Sequence, residues 1–275
     1  MSFSRRAVSL LCVLYWTLAA GAAMAQPAQK SYQPTPGQQG KDVVWIPSPP
    51  GMVEMMLDMA SVTPRDFVID LGSGDGRNVI AAAKRGARAL GVEYNPDLVE
   101  LSTRAAAAAG VADKASFVQG DMFAADISQA TALILFLVPD NLDRLSPKFL
   151  SLAPGTRIVS NTYEIGGGWE PDETRRLPAC LTWCGGHLYI VPADVAGVWR
   201  AADGDLTLDQ YFQSVSGTYD TNGISLPVES GRLQGNEISF TVNRVEYSGR
   251  LKGDVIEGVA TGRITQAWTA RRVRE

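Results

Sequence analysis

Residues 68–77 decide the fold, and they read VIDLGSGDGR. A short apolar run, Phe67–Leu71, ends where three glycines begin at alternate positions, and an Ala-rich segment, Asn78–Lys84, follows them. A compact apolar run that stops at glycines predicts a buried strand, and the Ala-rich segment predicts a helix. Glycines between the two let the backbone turn sharply and let a ligand approach without meeting a Cβ atom.

Strand and helix candidates alternate on both sides of this stretch. The strand candidates are Phe67–Leu71, Ala89–Glu93, Ala115–Val118, Ala132–Val138 and Arg157–Tyr163, and the helix candidates are Gly51–Ala60, Asn78–Lys84, Pro96–Ala109 and Leu142–Leu152. Asn95 is a suitable N-cap for the third helix, because Pro96 then takes the favoured first position. The alternation predicts an α/β domain over residues 43–194, with a Rossmann-like parallel sheet and helices on both faces.

From about residue 195 the pattern changes to short strands without intervening helices. The candidates are residues 206–210, 213–219, 237–243, 245–251, 255–260 and 264–271. Gly-Asn and Gly-Asp pairs between them are typical of tight turns. We therefore expect a small antiparallel β-barrel or meander over residues 195–275, and Gly197-Val198-Trp199 resembles the opening strand of lipocalin-like barrels. Its aromatic residues are expected to fill a core, with a ligand cavity as the alternative.

The first 25 residues have the organisation of a secretory signal peptide. Arg5 and Arg6 precede the uncharged apolar stretch 7–20, and Ala23-Met24-Ala25 provides small residues for cleavage. This arrangement predicts export, to the periplasm, with a retained membrane anchor as the alternative. Residues 26–42 are rich in Gln, Pro and Gly, which predicts a flexible arm. No later apolar segment is long enough to predict a stable membrane span after processing.

The charge of the chain narrows its partners. The formal net charge is −4 at pH 7, and loss of the signal would remove two further positive charges. An acidic chain without a long basic run is a poor match for a phosphate backbone, so we expect no nucleic-acid partner. Small cationic groups, such as a lysine side chain, remain compatible with it.

Cysteine and histidine usage bears on redox state and metals. Cys12 would leave with the signal, and Cys180 and Cys184 remain as an even pair, either as a disulfide of an exported protein or as two ordinary thiols. Because His187 is the single histidine, we expect no metal site.

Carboxylates follow three successive strand candidates. Asp70 and Glu93 end the first two strands, and Asp121 follows the third. Because the carboxyl ends of parallel strands meet at one edge of a sheet, these side chains are expected to share a site. Glu93 is placed to accept hydrogen bonds from ribose hydroxyls. Asp121 is placed to receive an adenine amino group, with Met122 or Phe123 covering the ring.

Two cofactors fit such a turn, and the residues favour one of them. The dinucleotide fingerprint requires Gly or Ala where this chain has Arg77, and Asp70 and Asp75 would repel a pyrophosphate. S-adenosylmethionine (SAM) has no phosphate and carries a sulfonium and an ammonium group, so acidic residues suit it. A nucleotide-dependent oxidoreductase is the weaker alternative. The predicted cofactor-binding residues are Asp70, Gly72, Ser73, Gly74, Gly76, Glu93, Asn95, Asp121 and Met122.

Residues 68–77 resemble the first motif of class I SAM-dependent methyltransferases, and GVEYN at residues 91–95 resembles the second. WIP at residues 45–47 and FLVP at residues 136–139 extend the likeness to one group: small protein-lysine methyltransferases related to the mitochondrial enzymes that modify ATP synthase and the adenine nucleotide translocase. The likeness covers roughly residues 43–170. It implies SAM-dependent methyl transfer to a protein lysine or a small molecule. The export signal and the added β domain depart from that group.

The catalytic chemistry is much less visible than the cofactor site. Methyl transfer is an in-line attack on a sulfonium methyl group, for which positioning and desolvation supply most of the barrier reduction. We therefore assign no catalytic residue; candidates for the acceptor side are Asp140, Asn141, Tyr163 and Trp45. The alternative function is a non-catalytic, exported binding or scaffold protein that keeps the SAM fold and acts through its β domain.

Overall fold

Two sheets of different construction make up the part of the chain that the computed structural model describes, residues 32–274. The predicted signal peptide, residues 1–25, and the start of the predicted arm, residues 26–31, lie outside the described residues. Residues 50–190 carry four helices and a seven-stranded sheet, and residues 197–272 form a closed barrel of eight strands. Within residues 32–274, no helix is long and apolar enough to cross a membrane.

The first sheet is parallel apart from one strand near its edge. Its strands are β1 Phe67–Leu71, β2 Arg88–Glu93, β3 Ala115–Gln119, β4 Ala132–Leu135, β5 Arg157–Asn161, β6 Glu173–Arg176 and β7 Gly185–Ile190. Their order is β3-β2-β1-β4-β5-β7-β6, and β7 runs antiparallel to both of its neighbours. The chain therefore reverses its winding between β1 and β4, which creates a crevice at the carboxyl ends of these strands. The predicted Rossmann-like architecture is confirmed.

Helices cover both faces of this sheet, as the nearly unbroken apolar strands require. The helices are α1 Pro50–Met59, α2 Arg77–Lys84, α3 Pro96–Ala108 and α4 Pro139–Leu150. The first three share one apolar cluster with Val68 of β1, whereas α4 packs on the opposite face with Ile69 and Leu71. The side chain of Asn95 accepts a hydrogen bond from Asp97 N and caps α3 as predicted.

Two strands of the parallel sheet are shorter than predicted. β4 ends at Leu135 because Pro139 occupies the first turn of α4 and holds Val138 in an extended conformation, with ψ 157°. β5 ends at Asn161 because Thr162 adopts a left-handed conformation, with φ 69°. The antiparallel pair β6 and β7 is not among the predicted strands.

The second sheet closes on itself as an up-and-down barrel. Its strands are β8 Gly197–Ala201, β9 Gly204–Tyr211, β10 Ser214–Thr221, β11 Ile224–Gln234, β12 Glu237–Val242, β13 Val245–Lys252, β14 Val255–Thr261 and β15 Thr265–Arg272. Each strand pairs with the next, and β15 pairs with β8 to remove the edges. β11 is absent from the predicted strands because Pro227 and a bulge near Gly231 interrupt its pattern.

Aromatic and aliphatic side chains fill the barrel interior. Trp199, Tyr219, Tyr247 and Trp268 belong to one buried cluster, as expected for a core in a barrel of this size. Two other groups of contacts join the barrel to the parallel sheet: the ring of Phe212 stacks on Trp169 at 5.7 Å, and the hydroxyl of Tyr211 donates to the carbonyl of Gly167 at 2.7 Å.

The glycine that ends the turn before α2 is required by packing. Gly76 has φ 78°, and a Cβ atom there would lie 2.6 Å from Phe117 and 2.8 Å from Ser102. We expect Gly76→Ala to lower the free energy of unfolding by about 2–4 kcal/mol, from the left-handed backbone and the overpacking together. Urea denaturation followed by circular dichroism measures this change.

Gly110→Ala is the matched control for that substitution. Gly110 also has a left-handed φ, 70°, but no atom lies within 4 Å of a Cβ added there. Only the backbone cost of about 1–2 kcal/mol applies to it. Equal destabilisation by the two substitutions would contradict the packing role of Gly76.

Candidate active site

A cavity opens at the carboxyl ends of β1, β2 and β3, where the parallel sheet changes its winding direction. It is lined by all but one of the predicted cofactor-binding residues: Asp70, Gly72, Ser73, Gly74, Glu93, Asn95, Asp121 and Met122. Gly76 is not among the lining residues, because it faces Phe117 and Ser102 under the turn. The cavity therefore lies where the sequence predicts it, but Gly76, predicted as a cofactor contact, occupies a packing position.

The turn after β1 is built from residues in left-handed conformations. Gly72 has φ 74° and Gly74 has φ 56°. The amide groups of Gly72 and Ser73 donate to the carbonyl of Val92, at 2.8 and 3.1 Å, which fastens the turn to β2. A Cβ atom on Gly74 would lie 2.6 Å from the indole nitrogen of Trp45. Only glycine permits this close approach, so Trp45 lies directly against the turn at the cavity.

The Glu93 carboxylate is fixed by backbone amides from two elements. One oxygen accepts a hydrogen bond from Gly74 N at 2.9 Å, and the other accepts from Asn95 N at 2.9 Å. A carboxylate offers about four acceptor positions, so two remain free after these bonds. The arrangement can therefore receive two hydroxyl groups, as a ribose diol provides.

Asp70 lies buried at the floor of the cavity. Its carboxylate accepts a hydrogen bond from the side chain of Asn78 at 3.1 Å. Burial raises the pKa of Asp70 well above its usual range; the Asn78 bond opposes this, and the negative charges of Glu93 and Asp75 add to it. A cation in the cavity would favour the ionised form of Asp70, because opposite charges stabilise each other strongly where water is excluded. The site is thus electrostatically suited to a positively charged ligand.

Buried polar atoms without a partner lie in and near the cavity. Among the described residues, such atoms include Ser73 Oγ and Asn78 Oδ1, which belong to cavity-lining residues. An unpaired buried polar group costs about 1–3 kcal/mol. A polar ligand would remove that cost, so these atoms fit a cavity made for a polar, cationic molecule such as SAM.

The rim near β3 contains an ion pair that the sequence pattern does not predict. Lys41 Nζ lies 2.7 Å from Asp121 and 4.7 Å from the centre of the Tyr94 ring. The hydrogen bond from Lys41 lowers the pKa of Asp121, and a bond from the backbone of Phe123 adds to the effect. Lys41 belongs to the predicted flexible arm, yet residues 38–42 line the cavity. An adenine amino group would have to share Asp121 with this lysine.

The residues proposed for the acceptor side are only partly brought together. Trp45 lines the cavity, whereas Asp140 is exposed and Asn141 is buried with its side-chain nitrogen unpartnered. Tyr163 is half-buried, and its ring lies 6.2 Å from the ring of Trp183. Trp183 is not among the predicted residues, although its position inside a short Cys-x3-Cys segment was a usable signal.

Cys180 and Cys184 form a disulfide with a Cα–Cα distance of 5.7 Å. Of the two alternatives that the sequence left open, the structure has the bridged one. The bond closes the loop that precedes β7, and Trp183 lies within this closed loop.

Comparisons with known proteins agree with this geometry. Residues 70–173 match the family model of the ANTKMT methyltransferase domain. The chain is similar to the protein-lysine N-methyltransferase of Saccharolobus islandicus (strain REY15A), with 42% identity over 138 residues, which cover 49% of this chain and 85% of that protein. It is also similar to the lysine N-methyltransferase of Mus musculus that is named for ATP synthase, with 36% identity over 141 residues, which cover 51% of this chain and 56% of that protein.

A solved structure gives the same result for the fold and the cofactor. The crystal structure of an RNA methyltransferase from Salinibacter ruber, in complex with S-adenosyl-L-homocysteine, is 41% identical with a TM-score of 0.51. It covers 55% of this chain and 96% of that chain. None of these comparisons supports the non-catalytic alternative. With a cavity made for a cationic adenosine ligand and a relative matched over most of its length, the chain belongs to the family of SAM-dependent protein-lysine methyltransferases.

Proposed function

We propose that this protein methylates lysine side chains of another protein outside the cytoplasm. The observation that carries the proposal is the Glu93 carboxylate, held by two backbone amides beside the buried Asp70 in one cavity. The names of the relatives from Saccharolobus islandicus and Mus musculus support lysine as the acceptor. The acidic composition of the chain supports a cationic acceptor over a polyanionic one.

The order of the lining residues gives the cofactor a direction. SAM, when bound, supplies a methyl group on a positively charged sulfur. Asp121 beyond β3 would receive the adenine amino group, and Glu93 at the end of β2 would accept the ribose hydroxyls. Asp70 and the turn after β1 would then face the cationic end. The methyl group is thereby directed toward β4 and β5, on the other side of β1.

The surroundings of the acceptor side also favour an amine. Within the described residues, an amine that approaches from β4 and β5 meets half-buried aromatic side chains and no histidine other than His187 of β7. Desolvation in such surroundings lowers the pKa of a lysine ammonium group, which favours the neutral amine needed for attack. Positioning and water exclusion would therefore supply the rate enhancement without an assigned base.

Export is part of the proposal because of the disulfide. The Cys180–Cys184 bond is stable in an oxidising compartment, and such bonds are rare in the cytosol. The pattern of residues 1–25, with Arg5 and Arg6 before an apolar stretch, supports a signal peptide that directs the chain to the periplasm.

Loss of the Glu93 carboxylate is expected to weaken cofactor binding. Removing a charge-assisted pair costs about 1.5–3 kcal/mol, which corresponds to roughly 10- to 150-fold in Kd for SAM with Glu93→Ala. Isothermal titration calorimetry with SAM and S-adenosylhomocysteine measures it. Glu229→Ala, an exposed carboxylate of β11, is the control and should leave Kd unchanged. A Kd for Glu93→Ala within twofold of the wild type would refute the assignment.

Methyl transfer itself distinguishes the classes of acceptor. Protein incubated with methyl-tritiated SAM should label poly-L-lysine, and acid hydrolysis should release methylated lysine. An RNA transcript and free L-lysine, tested in parallel, should remain unlabelled. Label in the RNA alone would replace the lysine proposal with the activity named for the Salinibacter ruber protein. Absence of label in all three, with SAM bound, would restore the non-catalytic alternative.

Export can be measured with a reporter that folds only in an oxidising compartment. Alkaline phosphatase fused after residue 42 is expected to be active in a Gram-negative host, and the same fusion without residues 1–25 is expected to be inactive. Equal activity of the two fusions, or activity of neither, would remove the periplasmic assignment.

A further inference from the structure

Three aromatic side chains from separate segments meet beside the cavity. Phe136 follows β4, Tyr163 follows β5, and Trp183 lies in the loop before β7. The centre of the Trp183 ring lies 5.7 Å from that of Phe136 and 6.2 Å from that of Tyr163, with the planes tilted by 55° and 54°. All three are partly exposed, and Phe136 also lines the cavity. We call these three residues the aromatic patch.

The loop that carries Trp183 is held in an unfavourable conformation. Trp183 has φ 58° and Ala179 has φ 55°, both in the left-handed region that residues with a side chain rarely adopt. Such strain persists only where the surroundings enforce it. Here the disulfide closes the loop across Cys180 and Cys184, and Cys184 is buried next to the first residue of β7. The closed loop therefore fixes the indole against Phe136 and Tyr163.

The order of strands places the patch on the acceptor side. The residues that would hold adenine, ribose and sulfonium follow β3, β2 and β1 in that sequence. Beyond β1 the sheet continues with β4, β5 and β7, and each of these strands borders one member of the patch. An acceptor that meets the methyl group must approach from this side.

The chemistry of the patch matches an alkylammonium group. Aromatic faces attract cations, most strongly the indole of tryptophan, and their apolar surfaces pack against methylene groups. Lysine presents both features in one side chain. The carboxylate of Glu164, next to Tyr163 and 62% exposed, adds negative charge at the outer edge.

We propose that Phe136, Tyr163 and Trp183 bind the lysine side chain that accepts the methyl group, with the Cys180–Cys184 disulfide holding Trp183 in place. The proposal rests on the methyltransferase function proposed above and identifies where its substrate binds. Trp183 is therefore a substrate-binding residue, and the two cysteines are positioning residues.

Fluorine NMR tests the patch without any turnover. The chain has six tryptophans, so labelling with 5-fluorotryptophan gives few resonances, and Trp183→Phe identifies the one of interest. The protein, saturated with S-adenosylhomocysteine, is titrated with n-butylammonium and, as a neutral probe of the same length, with 1-butanol. The Trp183 resonance should move saturably with the ammonium probe alone, while those of Trp199 and Trp268 in the barrel stay unchanged. No movement, or equal movement with both probes, overturns the proposal.

Kinetics of the variants provide the second readout. Trp183→Leu is expected to raise KM for poly-L-lysine about tenfold, and Trp183→Phe should recover part of the loss. The Kd for S-adenosylhomocysteine should stay unchanged in both. Tyr211→Leu, which removes a 62% exposed aromatic ring of the barrel, is the matched control with unchanged KM. Unchanged KM in Trp183→Leu would refute the patch while leaving methyl transfer itself established.

Reduction tests the positioning role of the disulfide. Dithiothreitol transfers two electrons and two protons to the bond, which yields two thiols and the cyclic disulfide of the reagent. The Trp183 resonance should then shift, and KM for poly-L-lysine should rise as in Trp183→Leu. Cys180→Ser/Cys184→Ser should behave as the reduced protein and respond no further. An unchanged resonance after reduction would overturn this role.

The two proposals fail in distinguishable ways. An ammonium-dependent shift of Trp183 without label on poly-L-lysine would refute the proposed function and retain a cation site. Label on poly-L-lysine that is insensitive to every Trp183 substitution would do the reverse.

Discussion

Concentrating negative charge at one edge of a parallel sheet is the constraint on which this molecule depends. Asp70 lies buried, and Glu93 stands beside it between two backbone amides. Charges of one sign in such a place are unfavourable unless a ligand supplies the opposite sign. The glycines of the turn follow from the same requirement: they let amide groups reach Glu93 and let Trp45 lie against the backbone. The cofactor's positive sulfur is the natural counterpart of this edge.

Segments outside the parallel sheet adapt that edge to a particular environment. Residues 38–42 bring Lys41 to Asp121, and the disulfide loop brings Trp183 to Phe136. The first contact borders the adenine end and the second borders the acceptor end. The barrel packs through Phe212 and Trp169 beside the loop after β5, so it is firmly joined to the enzyme sheet while its own interior is filled. Its contribution is therefore made through its outer surface.

Local sequence patterns predicted most of the sheet and the cofactor edge, because both depend on short-range signals. A strand that ends at glycines, and acidic residues at successive strand ends, are visible within a few residues of Asp70 and Glu93. The missing parts depend on distant contacts. Gly76 was predicted to contact the ligand because its packing against Phe117, in another strand, has no local signal. Lys41 and Trp183 were missed because their partners, Asp121 and Phe136, lie far away along the chain. The bulged strand β11 shows the remaining difficulty, since Pro227 breaks its alternation.

A crystal structure of the complex with S-adenosylhomocysteine would test the central claim most directly. We expect that both ribose hydroxyls donate to Glu93, that the adenine amino group reaches Asp121, and that the homocysteine sulfur lies on the side of β1 that faces Phe136. An adenosine bound away from Glu93, or one whose sulfur points from β1 back toward β3, would contradict the claim.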